Sequence, residues 1–177
     1  MLFPYVESKQ IVLRPATAEH GRRLYEILLA VGRTALPTLD VFIETQLQGV
    51  VARFLVMRQG SEEVIGFTEV RELDAAGHAR VAVHLEPEGT ADVHGDAVVL
   101  TVNFAFSMWR LHKVYLYSHV PDVGSVGFGE DRAALVRYQA VLPDHAYFQG
   151  RLWDMHVFAV HRSVWDTEGI GWVEEIV

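Results

Sequence analysis

The residues best placed to carry chemistry in this sequence surround Gly95. The segment from His78 to Leu85 reads as a strand, and the run from Ala97 to Trp109 is almost continuously apolar, as a buried helix would be. Gly95 lies in the connection between them. The first N–H groups of a helix lack intrahelical partners and carry partial positive charge, so such a junction can bind an anion. Glycine lets the backbone approach a ligand closely, and the pattern therefore predicts an anion-binding loop.

The elements that must position this loop follow from hydrophobic spacing and turn residues. Runs of strands interrupted by helices in an unequal pattern indicate an α+β domain, and the sequence predicts one domain over residues 1–177. Three glycines, Gly124, Gly127 and Gly129, predict only a short helix near Gly129 or a loop. The predicted strands cover residues 10–14, 51–58, 64–73, 78–85 and 112–122, the predicted helices cover 17–31, 38–48 and 96–111, and a hairpin closes the chain.

Composition narrows the possible functions. Lys plus Arg number 15 against 23 Asp plus Glu, and the resulting net charge of −8 repels phosphate backbones. We therefore expect no nucleic-acid partner and a mild preference for amines or cationic peptides. The chain has no cysteine, which excludes disulfides, thiolate metal sites and a cysteine nucleophile. His156 and His161 are five residues apart in a strand, so they face opposite sides and predict no metal site.

Two features bear on location. The N-terminal segment lacks the basic start and apolar block of a signal peptide. The run from Ala97 to Trp109 is shorter than the roughly 20 residues that a membrane helix needs. The sequence therefore predicts a cytoplasmic protein with no membrane partner.

Five segments, in order and at fitting spacing, resemble the GNAT N-acyltransferases, and in particular the branch that acetylates the N-termini of ribosomal proteins. The resemblance implies a mixed central sheet of six to seven strands with helices on both faces. It also implies acetyl-CoA as co-substrate, no metal, and a primary amine on a small molecule or protein N-terminus as acceptor. The segments are residues 11–17, 64–67, 92–97, 102–114 and 146–154, followed by an apolar strand and Trp165.

The same resemblance implies where the co-substrate binds. The phosphate loop of the family, Gln/Arg-x-x-Gly-x-Gly/Ala, corresponds here to residues 92–97. The strand end at 83–85 would offer backbone groups to the pantetheine arm, and the family's Asn-x-x-Ser corresponds to residues 122–125. The implied co-substrate residues are Val83, His84, Leu85, Val93, His94, Gly95, Asp96, Ala97, Asp122 and Ser125.

Four residues are candidates for proton transfer. Ser125 matches the serine that would protonate the departing thiolate. Some members of the branch place a glutamate general base where this chain has Ala146; His145 lies beside it, and histidine has a pKa suited to base work near neutrality. His84 is an equally reasonable base, as is Glu86 at the end of the same strand.

The loop departs from the family in its charge. Asp92 replaces the usual Gln or Arg, four carboxylates lie between residues 86 and 96, and no Lys or Arg occurs between Arg80 and Arg110. This phosphate loop is degenerate, and we expect acetyl-CoA to bind more weakly than in a typical relative.

Two alternatives therefore stay open beside acetyl transfer. One is a catalytically inactive GNAT-fold binding protein, and the other is a transferase that uses a non-acetyl or carrier-bound acyl donor. The aromatic residues of the tail, Trp153, Trp165 and Trp172, are either core residues or contacts of a homodimer.

Overall fold

The computed structural model describes residues 2–32, 35–88 and 90–177. Helical segments are a 3-10 turn at Ala18–His20, α1 (Gly21–Val31), α2 (Leu39–Thr45), α3 (His94–Met108), 3-10 turns at Val123–Val126 and Glu130–Leu135, α4 (Arg162–Val164), a π-helical turn at Trp165–Gly169 and α5 (Ile170–Ile176). The strands are β1 (Ile11–Pro15), β2 (Val50–Arg58), β3 (Val64–Asp74), β4 (His78–Leu85), β5 (Lys113–Ser118), β6 (Val136–Phe148) and β7 (Arg151–His161).

These strands form one sheet of seven in the order β1-β2-β3-β4-β5-β7-β6. Every neighbouring pair is antiparallel except β4 and β5, which are parallel and are joined through α3. The mixed sheet predicted from the resemblance is confirmed.

Helices cover both faces of the sheet, as expected. Successive strand residues point to opposite faces. Leu55 of β2 and Phe67 of β3 pack against α1, whereas Phe54 and Val56 of β2 belong to the core beneath α3. We call these the α1 face and the α3 face. The apolar run that begins at Ala97 is buried in the α3 layer.

The sheet is split in its middle. β4 and β5 pair only through His78–Arg80 of β4 and Lys113–Tyr115 of β5. Beyond this point β4 keeps its bonds to β3, up to Leu85, and β5 keeps its bonds to β7, up to Ser118. The two strands therefore diverge into a wedge whose apex lies at Arg80 and Tyr115.

Local signals placed most element ends correctly. Gly32 ends α1 in the left-handed conformation, with φ of 63°, which glycine adopts without steric cost. Gly129 precedes the short 3-10 turn that starts at Glu130. β1 extends one residue beyond its predicted end, to Pro15, because β1 is an edge strand and can accommodate a residue without an N–H.

The C-terminal prediction is partly wrong. The hairpin is present: β6 and β7 are joined by Gln149 and Gly150, both with positive φ, as in a two-residue type I′ turn. The chain then continues through α4 to α5 instead of ending there. Trp165 and Trp172 are buried beside α3, so they are core residues and not dimer contacts.

None of the described helices is both long and apolar enough to cross a membrane.

Candidate active site

A cavity of about 350 Å3 occupies the wedge between β4 and β5. Because alternate residues of both strands line it, the cavity reaches both faces of the sheet. On the α3 face its lining is Val81, Val83, His94, Val98, Leu116, Ser118, Ser125 and Val126. On the α1 face it is lined by Val31, Ala35, Arg80, Ala82, His84, Tyr117, His119 and Met155, with Ala146, Tyr147 and Phe148 from the β6–β7 hairpin.

The α3 side brings together three of the predicted co-substrate residues. Val83 comes from β4, His94 from the first residue of α3, and Ser125 from the turn after β5. These residues are distant in sequence, and it is the divergence of β4 and β5 that places them around one space. Leu85 does not line the cavity; its side chain packs in the core beside Gly66.

The first turn of α3 lies at the edge of this cavity. His94, Gly95 and Asp96 occupy the first three helical positions, where the helix supplies no acceptor for the N–H groups. Ala97 differs, because its N–H donates to the Val93 carbonyl at 3.0 Å. This N–H is thus bonded within the helix, and a part for Ala97 in phosphate binding stays a prediction. Val93 and Ala97 are both fully buried core residues.

Gly95 is explained by packing within the chain. A Cβ there would lie 3.3 Å from the Trp172 ring and 3.4 Å from the Gly127 carbonyl oxygen. Gly127 has φ of 85°, and a Cβ there would lie 2.6 Å from the Val98 side chain. The side of Gly95 where a Cβ would stand faces Trp172 and the Gly127 loop, and its part in co-substrate binding stays a prediction. Glycine at both positions brings that loop close to α3.

The acidic loop is less negative than the sequence suggests. Arg58 of β2 donates to both carboxylate oxygens of Asp92, each at 3.1 Å. These bonds hold the pKa of Asp92 below its usual value. Asp96 points inward and accepts a hydrogen bond from the Ser8 hydroxyl at 2.6 Å, while burial raises its pKa. Neither carboxylate of these two residues lines the cavity.

The turn that carries Ser125 is held by its own backbone. The Ser125 hydroxyl donates to the carbonyl of Asp122 and lies 3.3 Å from that of Val120. The Asp122 side chain is exposed and is not part of the cavity lining. Ser125 therefore has the geometry of a turn serine that also faces the cavity, and proton donation would require its hydroxyl to leave a backbone carbonyl.

On the α1 side, His84 stacks on Phe67 with ring centroids 4.7 Å apart. Burial lowers the pKa of His84 to about 4; Arg80, Arg71 and Arg53 act in the same direction and Glu69 opposes them. The imidazole is therefore neutral near pH 7. Its low pKa makes it a weak proton acceptor, so it is better suited to accept a hydrogen bond than to hold a proton.

The structure does not place the other two candidate bases in the cavity. His145 is exposed and faces away, whereas its neighbour Ala146 lines the space. The Glu86 carboxylate is paired with Arg23 at 2.8 Å. His145 therefore lacks the position that a base in this cavity needs.

Several lining residues were not singled out as functional from the sequence. Tyr117 and His119 continue the α1-facing positions of β5, and Tyr147 reaches the cavity from the hairpin. His119 packs against Phe148 with ring centroids 4.5 Å apart. The alternation of aromatic residues at 115, 117 and 119 was the available signal, because it marks one face of β5.

No group of three or more histidine, aspartate or glutamate side chains within the described ranges is arranged to hold a metal ion.

No protein-family model and no curated protein matches the sequence. Solved structures do match it. A dodecameric structure of spermidine N-acetyltransferase from Vibrio cholerae gives a TM-score of 0.73 at 18% identity over 89% of this chain and 97% of that chain. The chain therefore has the fold of the GNAT acetyltransferases, and the fold predicted from the sequence is confirmed.

Two further structures agree. The Vibrio cholerae enzyme in complex with CoA and spermine gives a TM-score of 0.69 at 18% identity, over 89% of this chain and 99% of that chain. A probable GNAT-family acetyltransferase from Chromobacterium violaceum gives 0.68 at 20% identity, over 92% and 88%. At such identities the likeness establishes the fold alone.

Proposed function

We propose that this protein is an enzyme that transfers an acetyl group from acetyl-CoA to a primary amine. The observation that carries the proposal is the cavity between β4 and β5, which reaches both faces of the sheet. A thioester that enters from the α3 side and an amine that enters from the α1 side can meet there without either crossing the other. Acyl transfer depends on such positioning of two reactants.

The cavity fits the acyl end of the co-substrate. Its volume lies within the range of small-molecule sites. Past Arg80, the edge of β4 that faces β5 no longer has a ladder partner, so its N–H and C=O groups can bond the amides of a pantetheine arm. Val83 and Leu116 would pack on that arm, and the first turn of α3 would meet the phosphates.

Acetyl-CoA supplies the acetyl group as a thioester, and transfer to a neutral amine yields an amide and the CoA thiol. Residues of this chain would orient the amine, exclude water and return a proton to the sulfur. Ser125 is the hydroxyl that faces the α3 side of the cavity, and His84 is a neutral acceptor on the α1 side. The reaction needs no metal.

Which amine accepts the acetyl group is a separate hypothesis. Resemblance to the ribosomal-protein branch favours a protein N-terminus, whereas the solved neighbour from Vibrio cholerae binds CoA and spermine. A second candidate function is an acyl-CoA-binding protein without turnover. The engagement of the Ser125 hydroxyl with the Asp122 carbonyl favours that candidate.

A cavity-filling substitution tests the donor site. We expect Val83→Trp to abolish the stabilisation of the protein by acetyl-CoA, because the indole would occupy the wedge. In the wild type, acetyl-CoA at 100 times its Kd raises the free energy of unfolding by about 2.7 kcal/mol. Thermal shift with CoA, acetyl-CoA and free pantetheine measures the effect.

The matched control is Val51→Trp, which introduces the same side chain at an exposed position of β2. It should keep the full shift. Release of CoA thiol with a panel of amines then separates the two candidate functions. Equal shifts for Val83→Trp and wild type would show that acetyl-CoA does not enter the wedge, whereas binding without thiol release from any amine would favour the inactive protein.

The acidic loop gives a second prediction. Asp92→Asn should tighten acetyl-CoA binding by about 2- to 5-fold, because it removes a negative charge near the first turn of α3. The gain should shrink as salt rises. Calorimetric titration at two salt concentrations measures it, with Glu62→Gln as the control for loss of an exposed carboxylate. Unchanged or weaker binding would place the phosphates away from Asp92.

A further inference from the structure

The α1 side of the cavity has a distinct charge. Among the described residues that line the whole cavity, Arg80 is the one arginine, and no aspartate, glutamate or lysine lines it. The remaining polar groups there are the rings of His84, Tyr117, His119 and Tyr147. The cavity therefore differs from the protein as a whole, which has a net charge of −8.

The Arg80 guanidinium is held in place at the apex of the wedge. It lies over the Tyr117 ring at 4.3 Å from the centroid, and Nη1 donates to the Glu72 carboxylate at 3.3 Å. Its Nε is buried and has no hydrogen-bond acceptor within the part of the chain that the structure describes. A buried N–H without a partner is costly, so this group has an unused donor beside the cavity.

The charged residues that surround Arg80 do not neutralise its positive charge. Arg71 is its cross-strand neighbour on β3, and like charges directly opposite each other repel. Glu69 is already bonded to Arg53 and lies 3.3 Å from Arg71. Three arginines thus share two carboxylates, those of Glu69 and Glu72, and this cluster keeps an excess of one positive charge.

We propose that the acceptor is a primary amine that also carries a carboxylate, and that Arg80 binds this carboxylate at the apex of the wedge. The proposal rests on the proposed transferase function and names its substrate class. Val83 lies three residues beyond Arg80, about 10 Å along the strand. A short chain between the two groups would place the amine toward the thioester end. A polyamine such as spermine, which the Vibrio cholerae neighbour binds, would bring a second ammonium against the guanidinium.

Acceptors matched in length test the proposal. Thiol release is measured with linear ω-amino acids of two to six carbons, and with n-alkylamines and α,ω-diamines of the same lengths. We expect kcat/KM for the best amino acid to exceed that for its alkylamine by at least about 10-fold, with the diamine lowest. A charge-assisted pair of this kind contributes about 10- to 100-fold.

Substitution of Arg80 shows whether the preference comes from this residue. In Arg80→Gln the ratio of amino acid to alkylamine should fall by about 10- to 100-fold, and in Arg80→Glu it should reverse in favour of the diamine. The control is Arg14→Gln, which removes an arginine of β1 that is paired with the exposed Glu62. It should keep the wild-type ratio. Circular dichroism of each variant confirms folding.

Alkylamines or diamines used as well as amino acids by the wild type would overturn the inference and leave the transferase function standing. So would an Arg80→Gln variant with an unchanged ratio. If no amine releases thiol, the proposed function fails instead. Thermal shift of the CoA-loaded protein then tests the inference. Binding of an ω-amino acid but not of its alkylamine supports the inference if Arg80→Gln abolishes that binding. Equal binding of the two ligands overturns it.

Discussion

Replacing Arg53 with methionine should lower the free energy of unfolding by about 3–5 kcal/mol, because it leaves a buried carboxylate without its main partner. Arg53 and Glu69 are both almost fully buried. The Arg53 Nε donates to Glu69 at 2.7 Å, and Nη1 donates to the Gln46 side chain at 2.9 Å. Arg71, 3.3 Å from Glu69, retains part of the neutralisation and sets the lower end of the range.

Urea denaturation measures this cost against two reference proteins. Arg14→Met breaks the exposed pair with Glu62 and should cost less than about 1 kcal/mol. The double variant Arg53→Met/Glu69→Met removes both buried charges and should recover most of the stability, since apolar side chains can replace a buried ion pair. A double variant as unstable as Arg53→Met would show that lost packing, and not an unpaired charge, is responsible.

The ion pair between Arg53 and Glu69 lies next to the α1 side of the cavity. The Arg53 guanidinium is 5.9 Å from the Phe67 ring, which in turn stacks on His84. The bond from Arg53 to the Gln46 side chain also ties the end of α2 to the sheet. Arg53 therefore connects the end of α2 to β2 and β3, and the Phe67 ring packs between Arg53 and His84 of the strand that forms one wall of the wedge.

Much of the fold could be predicted because the relevant signals are local. The strand over residues 78–85 and the end of α1 at Gly32 follow from patterning and turn chemistry within a few residues. The divergence of β4 from β5 is different. No residue of β4 indicates that its pairing with β5 ends at Arg80, and only the family resemblance implied that the strand end at 83–85 offers backbone groups to a ligand.

The candidate site could be predicted only in part, because contacts between residues distant in sequence decide which side chains face the cavity. The sequence predicted that Asp92 repels phosphate, because no residue near it in the chain indicates its partner. That partner, Arg58, is 34 residues away and is brought near by β2. His145 was expected near the cavity from its position beside Ala146. A register shift between Leu142 and Ala146 decides which of these residues faces inward, and a one-residue shift reverses the face of a strand side chain.

The stability of the protein should fall by about 3 kcal/mol between pH 6.5 and pH 4 on account of His84 alone. Burial lowers the pKa of His84 to about 4 in the folded state, from 6.5 in the unfolded chain. As the pH falls through this range, the unfolded state binds a proton that the folded state does not bind, so the free energy of unfolding decreases. The difference between 6.5 and about 4 corresponds to about 3 kcal/mol at 1.36 kcal/mol for each pH unit.

Urea denaturation at several pH values tests this through the difference between variants, because carboxylates also titrate in the acid range. His84→Gln has no imidazole to protonate, so its stability should decline less steeply than that of the wild type from pH 6.5 to 4. His145→Gln removes an exposed histidine and leaves the His84 ring in place, so it should follow the wild type. Parallel curves for His84→Gln and wild type would mean that the folded protein protonates His84 readily. The ring would then add a second positive charge beside Arg80 at mildly acid pH, and a preference for carboxylated acceptors would strengthen there.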